Sequence, residues 1–228
     1  MKTHGGIAAR YPERASLPSE SNCAVLTNWL EQFDSNLLNQ LINATGETHI
    51  EDIASENSRY IKNYCIIFLD LSGFGKLTES SRDFEALRLI LITETIISKL
   101  AVDHNGTLLK SIGDSWLLKF SETTKGVHFL KALYKKLNET NTGNPQQLAA
   151  IPCGGIAYGA LLEFGDYDII GRTVNVAARA GEDVAGPWEV LIAESALEQA
   201  AIDSEIKITD HIMSGEKVYS WLPLGPMS

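Results

Sequence analysis

The chain has 228 residues, 44% of them hydrophobic, which suffices for one sizeable core with an added terminal element. Its 19 Lys and Arg stand against 29 Asp and Glu, a net charge of -10 that repels nucleic-acid backbone and anionic membrane, so polymeric nucleic acid is not the expected substrate. The same charge repels a free nucleotide, so an anionic ligand has to be drawn in by metal ions and a few local cations.

Residues 1 to 20 carry Gly, Pro and Ser with scattered charge and no sustained period, and read as a surface arm. They lack the continuous apolar core of a signal peptide, and no later run approaches the roughly 20 apolar residues of a membrane span. The cytoplasm is the expected location. From Cys23 onward, Val25, Leu26, Trp29, Leu30, Phe33, Leu37, Leu38, Leu41 and Ile42 recur at helical spacing, giving an amphipathic helix. Thr48 followed by Glu51 has capping-box form and predicts a short helix toward Tyr60. This pair either packs on the main domain or forms a dimerising or regulatory stalk.

The main domain is expected from about Tyr64, where CIIFLDL predicts a central strand ended by the turn-prone Ser72 and Gly73. Residues 82 to 102 have helical spacing. Two short strands, 107 to 111 and 115 to 120, are joined across Ile112, Gly113 and Asp114 as a hairpin with a carboxylate at its tip. A helix near 124 to 139, a strand near 151 to 158 and a pair of apolar segments around Gly165 follow. Beyond Gly171, RTVNVAARAGEDVAG reads as a helix, then come a strand at 188 to 193, a helix at 194 to 201 and terminal strands at 205 to 212 and 217 to 222. This order predicts an α+β fold, an antiparallel-rich, ferredoxin-like sheet with helices on one face, preceded by a short helical extension. The division is an arm and helical extension over 1–62 and the main domain over 63–224. Cys23, Cys65 and Cys153 have no metal-ligand spacing and read as buried reduced thiols.

Asp70 closes an apolar strand and Asp114 sits on a hairpin expected beside it, so both carboxylates can converge on one sheet edge. Hard divalent cations want such oxygen ligands and bridge them to phosphates, although an Asp in either place also serves as a turn or helix cap. Asn175 and Arg179 stand four apart, which puts an amide and a guanidinium on one helix face. Such a face suits a hydroxyl and a phosphate, and equally a solvated surface with one salt bridge.

Together these segments resemble the class III nucleotidyl cyclases. The family's strand motif, Phe-x-Asp-hydrophobic-x-Gly-Phe, appears as Phe68, Leu69, Asp70, Leu71, Ser72, Gly73 and Phe74; its hairpin motif, Lys-x-Ile-Gly-Asp, as Lys110, Ser111, Ile112, Gly113 and Asp114; its helix motif as YDIIGRTVNVAAR, residues 167 to 179. The resemblance implies two divalent ions, Mg2+ or Mn2+, held by Asp70, Asp114 and the carbonyl of Leu71. It implies that Gly73 and Phe74 lie against substrate, that Lys110 and Asp168 read the base edge, that Asn175 orients the ribose and that Arg179 stabilises charge on the α-phosphate. It further implies a homodimer in which one chain gives the metal carboxylates and the other gives Lys110, Asp168, Asn175 and Arg179.

Adenine presents an amino donor beside the N1 acceptor, which suits Asp168 and Lys110, whereas guanylyl members typically carry Glu and Cys at these places. ATP is therefore the expected substrate; GTP, UTP or CTP, or a non-catalytic nucleotide-binding module, are the alternatives. One departure stands out. The family's Lys-Gly pair before the last strand, whose lysine reaches the terminal phosphates, is missing from KITDHIMSGEKVYSW, and His211, Lys217 and Lys207 are the cations nearby.

Overall fold

The computed structural model describes residues 35–44, 47–79, 82–143, 148–164, 168–202 and 204–225. Helices α1 (Ser35–Asn43) and α2 (Glu47–Glu56) lead through a 3-10 turn at Ser58–Tyr60 into strand β1 (Ile61–Leu71). The expected arm, and the expected first helix before Ser35, lie outside the described residues. Thr48, read as a cap, falls inside α2, since a helix end shifts by a residue or two without changing the element.

In β1 the run from Cys65 to Ile67 is buried at every position, because both faces of the strand are covered. Cys65, Ile67, Leu69 and Leu71 face one core, shared with Ile97 of α4 (Asp83–Asp103) and with Phe129, Leu130 and Leu133 of α5 (Thr123–Gly143). Ile66 faces a second core with Val176 and Ala177 of α6 (Arg172–Arg179). The expectation of helices on one face is therefore corrected: α6 covers the face opposite α4 and α5. A strand whose consecutive residues are all apolar carries no alternation from which to read a solvated face.

The remaining strands are β2 (Gly106–Ile112), β3 (Ser115–Phe120), β4 (Pro152–Phe164), β5 (Asp168–Ile170), β6 (Val190–Ala193), β7 (Ile206–Met213) and β8 (Glu216–Trp221). They form one sheet in the order β2-β3-β1-β4-β6-β8-β7, with β5 added on β4. Only β4 and β6 run parallel among the described pairs; the others are antiparallel. The expected α+β class and antiparallel-rich sheet are both present. One element was not foreseen, a short helix α3 (Phe74–Glu79) directly after β1, and the helix expected beyond Gly171 passes from α6 into a π-helical turn at Ala180–Val184. The helix expected over 194 to 201 is a single turn, α7 (Glu194–Leu197).

A missing side chain seats α6. A Cβ on Gly155 of β4 would stand 2.1 Å from the carbonyl oxygen of Ala177 and 2.7 Å from the Cβ of Ala180, so only glycine admits the helix this close. Cys65 and Cys153 are free, buried thiols, each pushed up to about 12 mainly by burial, as expected for inert core cysteines; Cys23 lies outside the described residues. Among the described residues no helix is long and apolar enough to cross a membrane.

Candidate active site

The antiparallel pairing of β1 with β3 sets Leu69 opposite Trp116, so the end of β1 and the β2–β3 turn share one edge. That turn is closed by Gly113 and Asp114 between the paired Ile112 and Ser115. Gly113 has φ 61, a left-handed value that favours glycine at this hairpin position. Ser115, just after Asp114, donates its hydroxyl to Oδ1 of Asp70 at 2.8 Å. The hairpin thus brings its carboxylate to the strand-end carboxylate.

The charge of Asp114 is felt at Asp70. Partial burial pushes the Asp70 carboxyl above its usual range against the Ser115 hydrogen bond, and the negative charges of Asp114 and, more weakly, Glu182 push the same way. Asp114 is also raised, by burial, against a hydrogen bond from its own backbone N–H. Two partly buried like charges thus stand at one edge, where a nearby positive charge would relieve both. Among the described residues no group of three or more His, Cys, Asp and Glu is placed to hold a metal ion, so the acidic cradle is a pair.

Leu71 is buried beside Asp70, and the next N–H, of Ser72, donates to the carbonyl of Ile151 at 2.8 Å. Gly73 then turns the chain at φ 81 and is exposed, with nothing within 4 Å of where a Cβ would stand. Phe74 opens α3 and packs, half-buried, against the core that holds α4 and α5. Its ring thus spends contact on the core, whereas Gly73 presents open backbone.

Lys110 on β2 and Asp168 on β5 meet within one chain, Nζ to Oδ2 at 2.5 Å, and Oδ1 of Asp168 accepts the N–H of Ile169 at 2.8 Å. On α6, Asn175 and Arg179 are exposed while Thr173, Val176 and Ala177 are buried, so both point away from the sheet. The Nε of Arg179 lies 3.9 Å from Oδ2 of Asp183, an exposed pair one turn on. Sequence reading missed Ser115, whose role depends on strand register, and Arg172, the exposed first residue of α6. The spacing of Arg172, Asn175 and Arg179 at i, i+3 and i+7 was the available signal for the second.

Residues 56–217 match the family model described as the adenylate and guanylate cyclase catalytic domain. A Rhizobium meliloti (strain 1021) protein provisionally named adenylate cyclase 3 is 26% identical over 167 residues, covering 69% of this chain but 28% of its own length. The chain thus spans little more than a quarter of that relative. Among solved structures, the adenylyl cyclase CyaB from P. aeruginosa superposes with a TM-score of 0.58 at 22% identity, covering 70% of this chain and 93% of that one. The guanylyl cyclase Cya2 superposes with a TM-score of 0.56 at 18% identity, covering 70% and 91%. At these identities the two likenesses are of fold, and they include one cyclase of each purine specificity.

Proposed function

The chain belongs to the adenylate and guanylate cyclase catalytic-domain family, and within it we propose that this protein converts ATP to 3′,5′-cyclic AMP and pyrophosphate. The observation that carries the reading is the acidic pair at one sheet edge, Asp70 and Asp114, in a chain that also builds the Lys110–Asp168 pair. Residues 63–224 are the catalytic unit in this reading, with 1–62 as arm and helical extension.

Asp70 and Asp114 fit divalent cations, because each carboxylate is held above its ordinary pKa and the opposing charge that would relieve both is a metal's. Leu71 would add its carbonyl. The ions, Mg2+ or Mn2+, would lower the pKa of the 3′-hydroxyl and neutralise the departing pyrophosphate.

The protein's own groups supply the rest. Asp168 accepts from the adenine amino group while the Lys110 ammonium donates to N1, and their mutual contact keeps the two groups side by side. Asn175 orients the ribose. Arg179, loosely paired with Asp183, is free to turn onto the α-phosphate and meet the charge that builds there in the transition state. Gly73 leaves the backbone open to close approach by phosphate, and Phe74 anchors that turn to the core.

We assign the complete site to a two-fold dimer, one chain giving Asp70 and Asp114 and its partner giving Lys110, Asp168, Asn175 and Arg179. In support, Asp70 bonds Ser115 and Arg179 pairs with Asp183 of its own turn, so neither contact joins the two sets within a chain. The deciding experiment supplies each nucleoside triphosphate in turn with Mn2+ and identifies the product. Cyclic AMP as the main product is expected; cyclic GMP or a cyclic pyrimidine nucleotide would replace the ATP assignment, and no turnover would leave a nucleotide-binding module.

A further inference from the structure

A triphosphate carries about four negative charges, and once the Asp70 and Asp114 carboxylates are set against two divalent ions and Arg179 about three positive charges remain, in a chain of net charge -10. The fold sets all three nearby cations picked out by sequence apart from the exposed stripe of α6. Lys207 pairs with Ser220, and six intervening residues of strand, about 20 Å, separate it from Ser214. Lys217 neighbours Val218, which is buried in the core beneath α6, so alternation along β8 turns Lys217 to the other face with Tyr219, whose hydroxyl reaches Glu194. His211 lines the same surface hollow as Lys217 and Tyr219.

A different cation meets this turn from the α6 side. Arg172 begins α6, is 61% exposed at its side chain, and lies on the same helix face as Asn175 and Arg179. Its Nη2 is 4.0 Å from where a Cβ on Gly215 would stand and 3.9 Å from Oε2 of Glu216. Glu216 is anchored elsewhere, since its Oε1 accepts the N–H of Ser195 at 2.6 Å. The 3.9 Å pair is therefore at the outer limit of an ion pair, and a guanidinium with five N–H donors keeps most of them for a ligand.

We propose that Arg172 supplies the cation for the terminal phosphates of the substrate, in place of the lysine that the Ser214–Gly215 turn lacks. One face of α6 then carries Arg172 for the terminal phosphates beside the β7–β8 turn, Asn175 for the ribose and Arg179 for the α-phosphate, which requires the triphosphate to fold back along the helix toward its first turn. This rests on the cyclase reading above, and the test separates the two.

Arg172→Ala, Arg172→Lys and Arg172→Glu would be compared with Lys217→Ala for KM and kcat with ATP, and for inhibition by inorganic pyrophosphate and by cyclic AMP. Pyrophosphate carries the terminal phosphates alone, and cyclic AMP carries none of them. Arg172→Ala is expected to raise KM and the pyrophosphate inhibition constant by about tenfold, from loss of charge-assisted hydrogen bonds, with no change for cyclic AMP. Arg172→Glu should be worse, Arg172→Lys should recover part, and Lys217→Ala should match the unaltered protein. A pyrophosphate constant unmoved in Arg172→Ala, or moved only in Lys217→Ala, overturns the proposal. If the unaltered protein turns over no triphosphate, the cyclase reading fails instead, and calorimetric titration with pyrophosphate and Mn2+ still decides: weaker binding by Arg172→Ala supports the role, and equal or absent binding overturns it.

Discussion

Nζ of Lys110 lies 2.5 Å from Oδ2 of Asp168 across 58 positions of sequence, joining the second strand of the chain to the short fifth strand. The ammonium offers donors and the carboxylate offers lone pairs side by side, the polarity that adenine's amino group and N1 require and that guanine reverses. Exchanging both, Lys110→Glu with Asp168→Cys, is expected to lower the ratio of kcat/KM for ATP over GTP by at least about tenfold, because each purine then meets unpaired or opposed groups. Steady-state kinetics with both triphosphates checks this. A ratio that does not move would remove the two residues from base reading.

In the two-metal reading, Asp70 and Asp114 serve the site at the expense of the metal-free fold. Burial disfavours both charges, the negative charge of Asp114 adds to this at Asp70, and among the described residues the Ser115 hydroxyl is the side-chain donor to Asp70. Asp70→Asn keeps an acceptor for Ser115 and removes one charge. It is expected to reduce cyclase activity by at least about a hundredfold while leaving the thermal midpoint without metal equal or higher. Mn2+ should raise the midpoint of the unaltered protein and not that of Asp70→Asn. Differential scanning calorimetry with and without Mn2+ reads both effects; an equal Mn2+ shift in the two proteins would place the metals elsewhere.

What sequence could show here followed from range. CIIFLDL declared a buried strand because its apolar run needs no partner to be recognised, and Gly113 declared a hairpin because its turn is local. The motif residues Asp70 and Asp114 were legible for the same reason, each standing at the end of a local element. The contacts that position them were not. Ser115 reaches Asp70 only through the β1–β3 register, Gly155 admits α6 only because of where Ala177 falls, and Arg172 meets Glu216 only once β8 is in place. The placement of α6 opposite α4 and α5 was hidden because β1 is apolar on both faces. Phe74 was expected beside substrate on family resemblance, and its packing on the core emerges from α3, a helix of six residues too short to leave a period.

Glu163, whose side chain is 11% exposed on β4, is clamped by Lys119 of β3 and by Lys62 of β1, the latter at 2.5 Å. Burial pushes its pKa up, but the hydrogen bonds from Lys119 and then Lys62 outweigh burial and leave it below the usual range. A carboxylate whose folded pKa is depressed contributes stability that is present above its unfolded pKa and lost as pH falls through the folded value. Glu163→Gln is therefore expected to cost about 2 kcal/mol near pH 7, less than a fully buried pair because Lys62 is half exposed, and the gap should close below about pH 4. Urea denaturation of both proteins across that range measures it. A gap independent of pH would mean that packing, not charge, is lost.

The shared site can be tested by mixing two inactive proteins. In the dimer reading Asp70→Ala removes the metals contributed by one chain, and Arg179→Ala removes the transition-state cation contributed by the other, so each homodimer should be nearly inactive. A mixed dimer places both lesions in one of its two sites and leaves the second complete. With free exchange half the dimers are mixed and half of their sites are intact, so activity should return to about a quarter of the unaltered level. Asp70 bonds Ser115 and Arg179 pairs with Asp183, each inside its own chain, so neither change removes a contact that the other residue makes there. Native mass spectrometry would count the mixed dimers while product formation is followed in the same sample. Mixed dimers without recovered activity would mean that Asp70 and Arg179 serve the same site from a single chain.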